Sequence, residues 1–81
     1  MRHRTAVRGF NLEQVAEILR FSSERYFDTE TGRSVAVGRH DERLVMIPYE
    51  RHGGLIKPVT IHAITRQQIR FRQRTGRFQN E

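Results

Sequence analysis

The sequence contains no cysteine. Neither a disulfide framework nor a thiolate zinc site can therefore supply stability, and a reducing compartment, the cytoplasm, fits better than an oxidising one. No segment approaches the roughly 20 apolar residues of a membrane-spanning helix, and residues 1–8 lack the apolar stretch of a secretory signal, so a soluble, unexported protein is expected. Carboxylates are few. Glu50 is the only one near the end of a core strand, no Ser-His-Asp set or phosphate-cradling glycine loop is legible, and hydrolysis by paired acids or by a nucleophile is disfavoured. The four histidines, His3, His40, His52 and His62, stand at no metal-ligand spacing, so neither a metal nor any other cofactor is expected. Lysine is nearly missing as well: Lys57 is the only one, beside fourteen arginines.

What is present is cationic. Fifteen basic residues against nine acidic ones leave a formal net charge of +6. A GC-rich genome also replaces Lys by Arg, so placement has to decide what the bias means. From Lys57 to Glu81 there are six basic residues and one acid, and a segregated basic surface suits a polyanion, because arginine grips phosphate with a planar fork and stacks on bases. Eighty-one residues support one modest core and a single domain spanning 1–81.

Local patterns predict the elements. Leu12, Val15, Ala16 and Leu19 fall within about 100° of a helical wheel, with Asn11 as N-cap, Gln14 completing a capping-box pattern, Phe10 stapling onto Val15, and a turn at Gly9. Strands are expected at Arg33–His40, Arg43–Tyr49 and Ile56–Ile64, with a shorter one at Arg25–Asp28, joined by short turn-rich connectors as an antiparallel meander. Pro48 and Pro58 come to lie roughly opposite each other, so that end of the sheet should be frayed or bulged. A second helix starts at Thr65, with Gln68 closing a capping box, Ile64 stapling onto Ile69 and Gly76 as its stop. The expected fold is thus α+β: a three- to four-stranded antiparallel meander with an N-terminal helix and a C-terminal arginine-rich helix.

On that second helix Arg66, Arg70, Arg74 and Arg77 lie within roughly 80° of one another if the helix reaches that far. Phe71, and Phe78 if helical, fall beside the stripe while Ile69 points toward the sheet. A partner protein or a second subunit is therefore expected to cover Phe71 and Phe78. The strand ending at His62 feeds directly into this helix. Cleaving RNA without metal requires a base for the 2′-hydroxyl, positive charge at the phosphorane and an acid for the leaving 5′-oxygen, roles that His62, Lys57, Tyr49, Arg66 and Arg70 could divide. Arg70, Arg72, Arg74 and Arg77 would hold the nucleic-acid backbone. His40 and His52 sit in turns and look like surface residues.

The stretch "HRTAVRGFNLEQVAEIL", and "RSVAVGRHDERLVMIPYERHGGLIKPVTIHAITRQQIRFR" after it, resemble the BrnT-type toxins of bacterial toxin–antitoxin pairs, which are similar in fold to RelE ribonucleases. The resemblance covers roughly Arg2 to Arg72. It implies a toxin-like fold, RNA (including ribosome-bound message) as target, and a cognate antitoxin that covers the basic site. His62 stands where those toxins tend to have Arg, Lys57 replaces an earlier Arg, and Gln68 or Ile69 replaces an acid. These substitutions keep the cationic character but change which groups can move a proton. A metal-independent endoribonuclease toxin is the leading expectation; a non-catalytic nucleic-acid-binding protein and a protein-interaction module for an acidic partner remain its rivals.

Overall fold

Asn11 opens helix α1 (Leu12–Phe21) as its position predicts, with extended backbone and an Oδ1 that accepts hydrogen bonds from the amides of Glu13 and Gln14. The other half of the expected capping box is missing. Gln14 turns away to the β-turn at Asp41, accepting from its amide at 2.9 Å and donating to its carboxylate at 3.1 Å. The Asn11 amide instead donates to Nε2 of His40 at 2.6 Å, and His40, expected at the surface, is only 2% exposed. The ring is buried because it docks the start of α1 and meets Phe10 edge-on. The computed structural model describes residues 10–81, so the turn expected at Gly9 lies outside the described residues.

The meander forms from β1 (Glu24–Asp28), β2 (Arg33–His40), β3 (Arg43–His52) and β4 (Leu55–Pro58), each antiparallel to the last. The sheet is larger than the expected three or four strands. β5 (His62–Ala63) pairs with β3 beyond the end of β4, and β6 (Phe78–Asn80) pairs antiparallel with β1 after α2 (Arg66–Arg74), giving six strands in the order β4-β3-β2-β1-β6 with β5 also on β3. The class is α+β, with one helix on each face.

Those faces follow from the two-residue alternation of strands. Ala36, Val45, Ile47 and Tyr49 point to one side and bury Val15, Ile18 and Leu19 of α1; Val35, Val37 and Met46 point to the other and bury Ile64, Ile69 and Phe78. Close approach of α1 depends on Gly38 in β2. A Cβ there would lie 2.8 Å from Cγ2 of Ile18, a branched atom with little freedom to yield.

One irregularity matters for what comes later. Tyr49 pairs with Pro58 and Glu50 with Lys57, but Met46 pairs with His62 and Val45 with Ala63, so the incoming edge holds one more residue than β3 between these points. The predicted strand Ile56–Ile64 is therefore two strands and a bulge, at the end of the sheet where the prolines were expected to disturb it. The extra residue changes the phase. In an unbroken ladder His62 would fall opposite Val45 on the α1 side, whereas the bulge puts it opposite Met46 on the α2 side and sends Ile61 into the α1 core.

Candidate nucleic-acid interface

Helix α2 starts as expected: Thr65 Oγ1 accepts from the Gln68 amide at 3.1 Å, and the Thr65 amide donates to Gln68 Oε1 at 3.0 Å. Ile69 is its one buried residue, packed with Ile64, and Gly76 ends it in the left-handed region at φ 85°. Because the helix stops at Arg74, Arg77 is not part of the arginine stripe. It lies past the turn, and its fork grips Asp28 with Nε to Oδ1 at 2.9 Å and Nη2 to Oδ2 at 3.0 Å, while Nη1 reaches Glu30 at 2.8 Å. Burial alone would push the Asp28 carboxyl up, but the Arg77 fork and the amides of Glu30 and Thr31 outweigh it and hold the group below its ordinary 3.8.

Between the sheet and α2 lies a cleft of about 370 Å³ whose walls include His62, Arg33, Arg72, Arg77, Asp28 and Gln68. It is within the size range of small-ligand sites. His62 is exposed to it from β5. Arg72 leans over the Phe78 ring, 5.5 Å from its centroid, and donates to the Met46 sulfur at 3.3 Å, so its guanidinium is placed without a carboxylate partner among the described residues. Arg33 shares its charge with Glu50 at 3.1 Å. Among the described residues the cleft thus has one guanidinium without an acid partner, Arg72, while Arg33 and Arg77 are paired with Glu50 and with Asp28 and Glu30.

The remaining sequence-predicted residues separate. Arg66 does not line the cleft; it donates to Glu24, which also accepts from the Tyr26 hydroxyl at 2.6 Å. Hydrogen bonding from Arg66 draws the Glu24 carboxyl down, and burial beside that carboxylate pushes the Tyr26 hydroxyl up to about 12. Arg66 is a structural clamp between α2 and β1. Lys57 is exposed on β4 opposite Glu50, outside the cleft lining. Arg70 and Arg74 are exposed on α2 with no acid partner among the described residues.

Two expectations are corrected outright. Tyr49 is 2% exposed on the α1 side of the sheet, the side away from His62, so it cannot reach a phosphate held there. Its ring lies beneath Arg25 and Arg51, at 5.5 and 5.7 Å, and its hydroxyl has no hydrogen-bond partner among the described residues. A buried hydroxyl without a partner is costly, so Tyr49→Phe is expected to raise stability by up to about 1 kcal/mol and to leave any RNA activity unchanged. A thermal melt shifted downward, or a lost activity, would show that the hydroxyl has a use. Phe78 is the second correction. It is 2% exposed, stacked on Tyr26 at 5.3 Å between centroids, and needs no partner to cover it.

Asp28 and Arg33 belong to the cleft and were not among the predicted site residues. The signal was faint: Asp28 opens the Asp-Thr-Glu-Thr-Gly turn, Arg33 follows it, and the two face one another across the β1–β2 ladder. No helix among the described residues is long and apolar enough to cross a membrane. The chain matches no protein-family model, no curated protein and no solved structure.

Proposed function

We propose that the cleft between β5 and α2 binds the phosphate backbone of RNA and that His62 takes the 2′-hydroxyl proton in its cleavage, the activity of a metal-independent endoribonuclease toxin of the BrnT and RelE kind. The observation that carries this reading is the meeting of His62, Arg33, Arg72 and Arg77 on one cavity. Attack of the 2′-oxygen on phosphorus breaks the bond to the 5′-oxygen and leaves a 2′,3′-cyclic phosphate. Arg72 would hold the charge that builds on the non-bridging oxygens, its stacking on Phe78 fixing it before substrate arrives, while Arg77, bound to Asp28 and Glu30, shapes the wall beside it. Arg70 and Arg74 would then guide the flanking backbone, and a cognate antitoxin would block the same cationic surface in the cytoplasm.

A second reading has its own support. With Tyr49 buried on the opposite side and Lys57 outside the cleft, His62 is the only proton-transfer group of the predicted set at the cavity. Protonation of the leaving 5′-oxygen then falls to water, an arrangement that suits binding without cutting.

Incubation of the pure protein with single-stranded and with ribosome-bound message, followed by end-group analysis, separates the two. Cyclic-phosphate ends that disappear in His62→Ala support cleavage. Arg72→Ala should weaken RNA binding under either reading and lower the slope of log affinity against log salt by about 0.7, the share of one single-strand phosphate contact. Affinity that is indifferent to salt and to Arg72 would remove the cleft as an RNA site.

A further inference from the structure

We infer that a second groove, continuous with the cleft, is a stacking subsite for an unpaired nucleotide base, with Phe71 as its platform. The inference rests on the proposed function, because it names the form of RNA that the cleft admits: single-stranded and unstacked. The groove encloses about 870 Å³ and shares Gln68, Arg72 and Arg77 with the His62 cleft. Phe71 is 57% exposed on its wall.

An exposed phenylalanine alone is ordinary. Phe21 is more exposed still, at 74%, but the groove beside it shares no lining residue with the His62 cleft, so a base stacked there would have no path to it. Phe71 differs in its neighbours. Gln67 and Phe71 share one face of α2, and the C-cap Thr75 continues their four-residue spacing, all three on the groove wall. The aromatic thus lies between a free carboxamide one turn before it and a hydroxyl one turn after it, and the next residue, Arg72, reaches over into the cleft. A base stacked on Phe71 would have its Watson–Crick edge within reach of Gln67, which can both donate and accept, while the adjoining phosphate passes to Arg72. Gln68 has less to offer, since its Oε1 is held by the Thr65 amide and only its NH2 remains free. Glu30, the one acid lining the groove among the described residues, is bound by Nη1 of Arg77, which also holds Asp28. A duplex keeps its bases stacked on each other, so it cannot use Phe71.

The sequence has no tryptophan, so Phe71→Trp introduces a single reporter at the platform. The probe is a short single-stranded RNA with 2′-O-methyl riboses, which cannot be cut. Its addition should quench the indole of Phe71→Trp, whereas the same strand annealed to its complement, or an abasic strand of equal length, should not. Phe71→Leu, which keeps apolarity but removes the π-face, should bind the single strand about 5- to 100-fold more weakly than wild type and the abasic strand equally well. Equal affinity of wild type and Phe71→Leu for the base-bearing strand, with Arg72→Ala still impaired, overturns the subsite and leaves the cleft standing. A wild-type chain that binds no RNA overturns both. Sedimentation of free Phe71→Leu as a smaller species than wild type, with RNA affinity unaltered, also overturns it and makes Phe71 a contact between copies.

Discussion

Replacing Arg77 by methionine should cost about 3 kcal/mol of folding stability, the lower end of the roughly 3–5 kcal/mol seen when a buried ion pair loses one partner. The asymmetry of the pair sets this size. Asp28 is 1% exposed and cannot recover water when its partner goes, whereas Arg77 is partly exposed and loses less. A chain of 81 residues has about 4–12 kcal/mol in all, at 0.05–0.15 kcal/mol per residue, so the substitution removes a large fraction of it. The urea midpoint is the measurement. Arg77→Lys, which keeps charge but not the fork, should recover part of the loss, and an unchanged midpoint in Arg77→Met would show that Asp28 is satisfied without it.

The same pair shapes the response to acid. Asp28 and Glu24 both titrate below their ordinary values in the folded chain, Glu24 chiefly through the hydrogen bond from Arg66. A depressed carboxyl contributes stability that is fully present above its unfolded pKa and disappears as pH falls through the folded one. Stability should therefore hold down to about pH 5 and decline below about pH 4. In Arg77→Met the decline should be shallower, because the Asp28 contribution is already lost at neutral pH. Parallel curves for the two proteins would mean that the linkage lies elsewhere.

The second large effect concerns rate. If the cleft cuts RNA, His62→Ala should slow single-turnover cleavage by about 10²- to 10⁴-fold, the usual contribution of a positioned general base. Affinity should stay within about twofold, since the cations that bind phosphate are untouched. Arg66→Ala is the informative contrast. Its guanidinium is committed to Glu24 rather than to the cleft, so it should lower stability and leave the rate per folded molecule alone. Equal rates in wild type and His62→Ala would end the assignment of the base.

How much of this could be read from the chain depended on distance along it. Both helices, their caps and the meander were legible because the signals are local: a 3.6-residue apolar period, Asn11 and Thr65 before it, and glycine-bearing turns between strands. The acids that neutralise the basic surface were not. Glu24 meets Arg66 and Asp28 meets Arg77 across 42 and 49 residues, and no pattern in a single sequence links positions so far apart. Tyr49 was misplaced for a different reason. β3 is buried on both faces over Val45–Ile47, so the run has no polar alternation to say which side each residue takes. β6 escaped notice because three residues, Phe-Gln-Asn, are too few to show a period, and Phe78 was consequently extrapolated onto a helix that had already ended.

The proposed machinery is mounted on two supports of unequal firmness. His62 is fixed by backbone pairing to the longest strand of the sheet, while Phe71, Arg72 and their neighbours ride on a nine-residue segment anchored by a single isoleucine and a few polar tethers. Such a segment opens at a fraction of the global unfolding energy. Its fluctuations would widen or narrow the gap between imidazole and guanidinium while the rest of the molecule stays closed, so the grip on a strand of RNA would be set by a hinged jaw working against a fixed one.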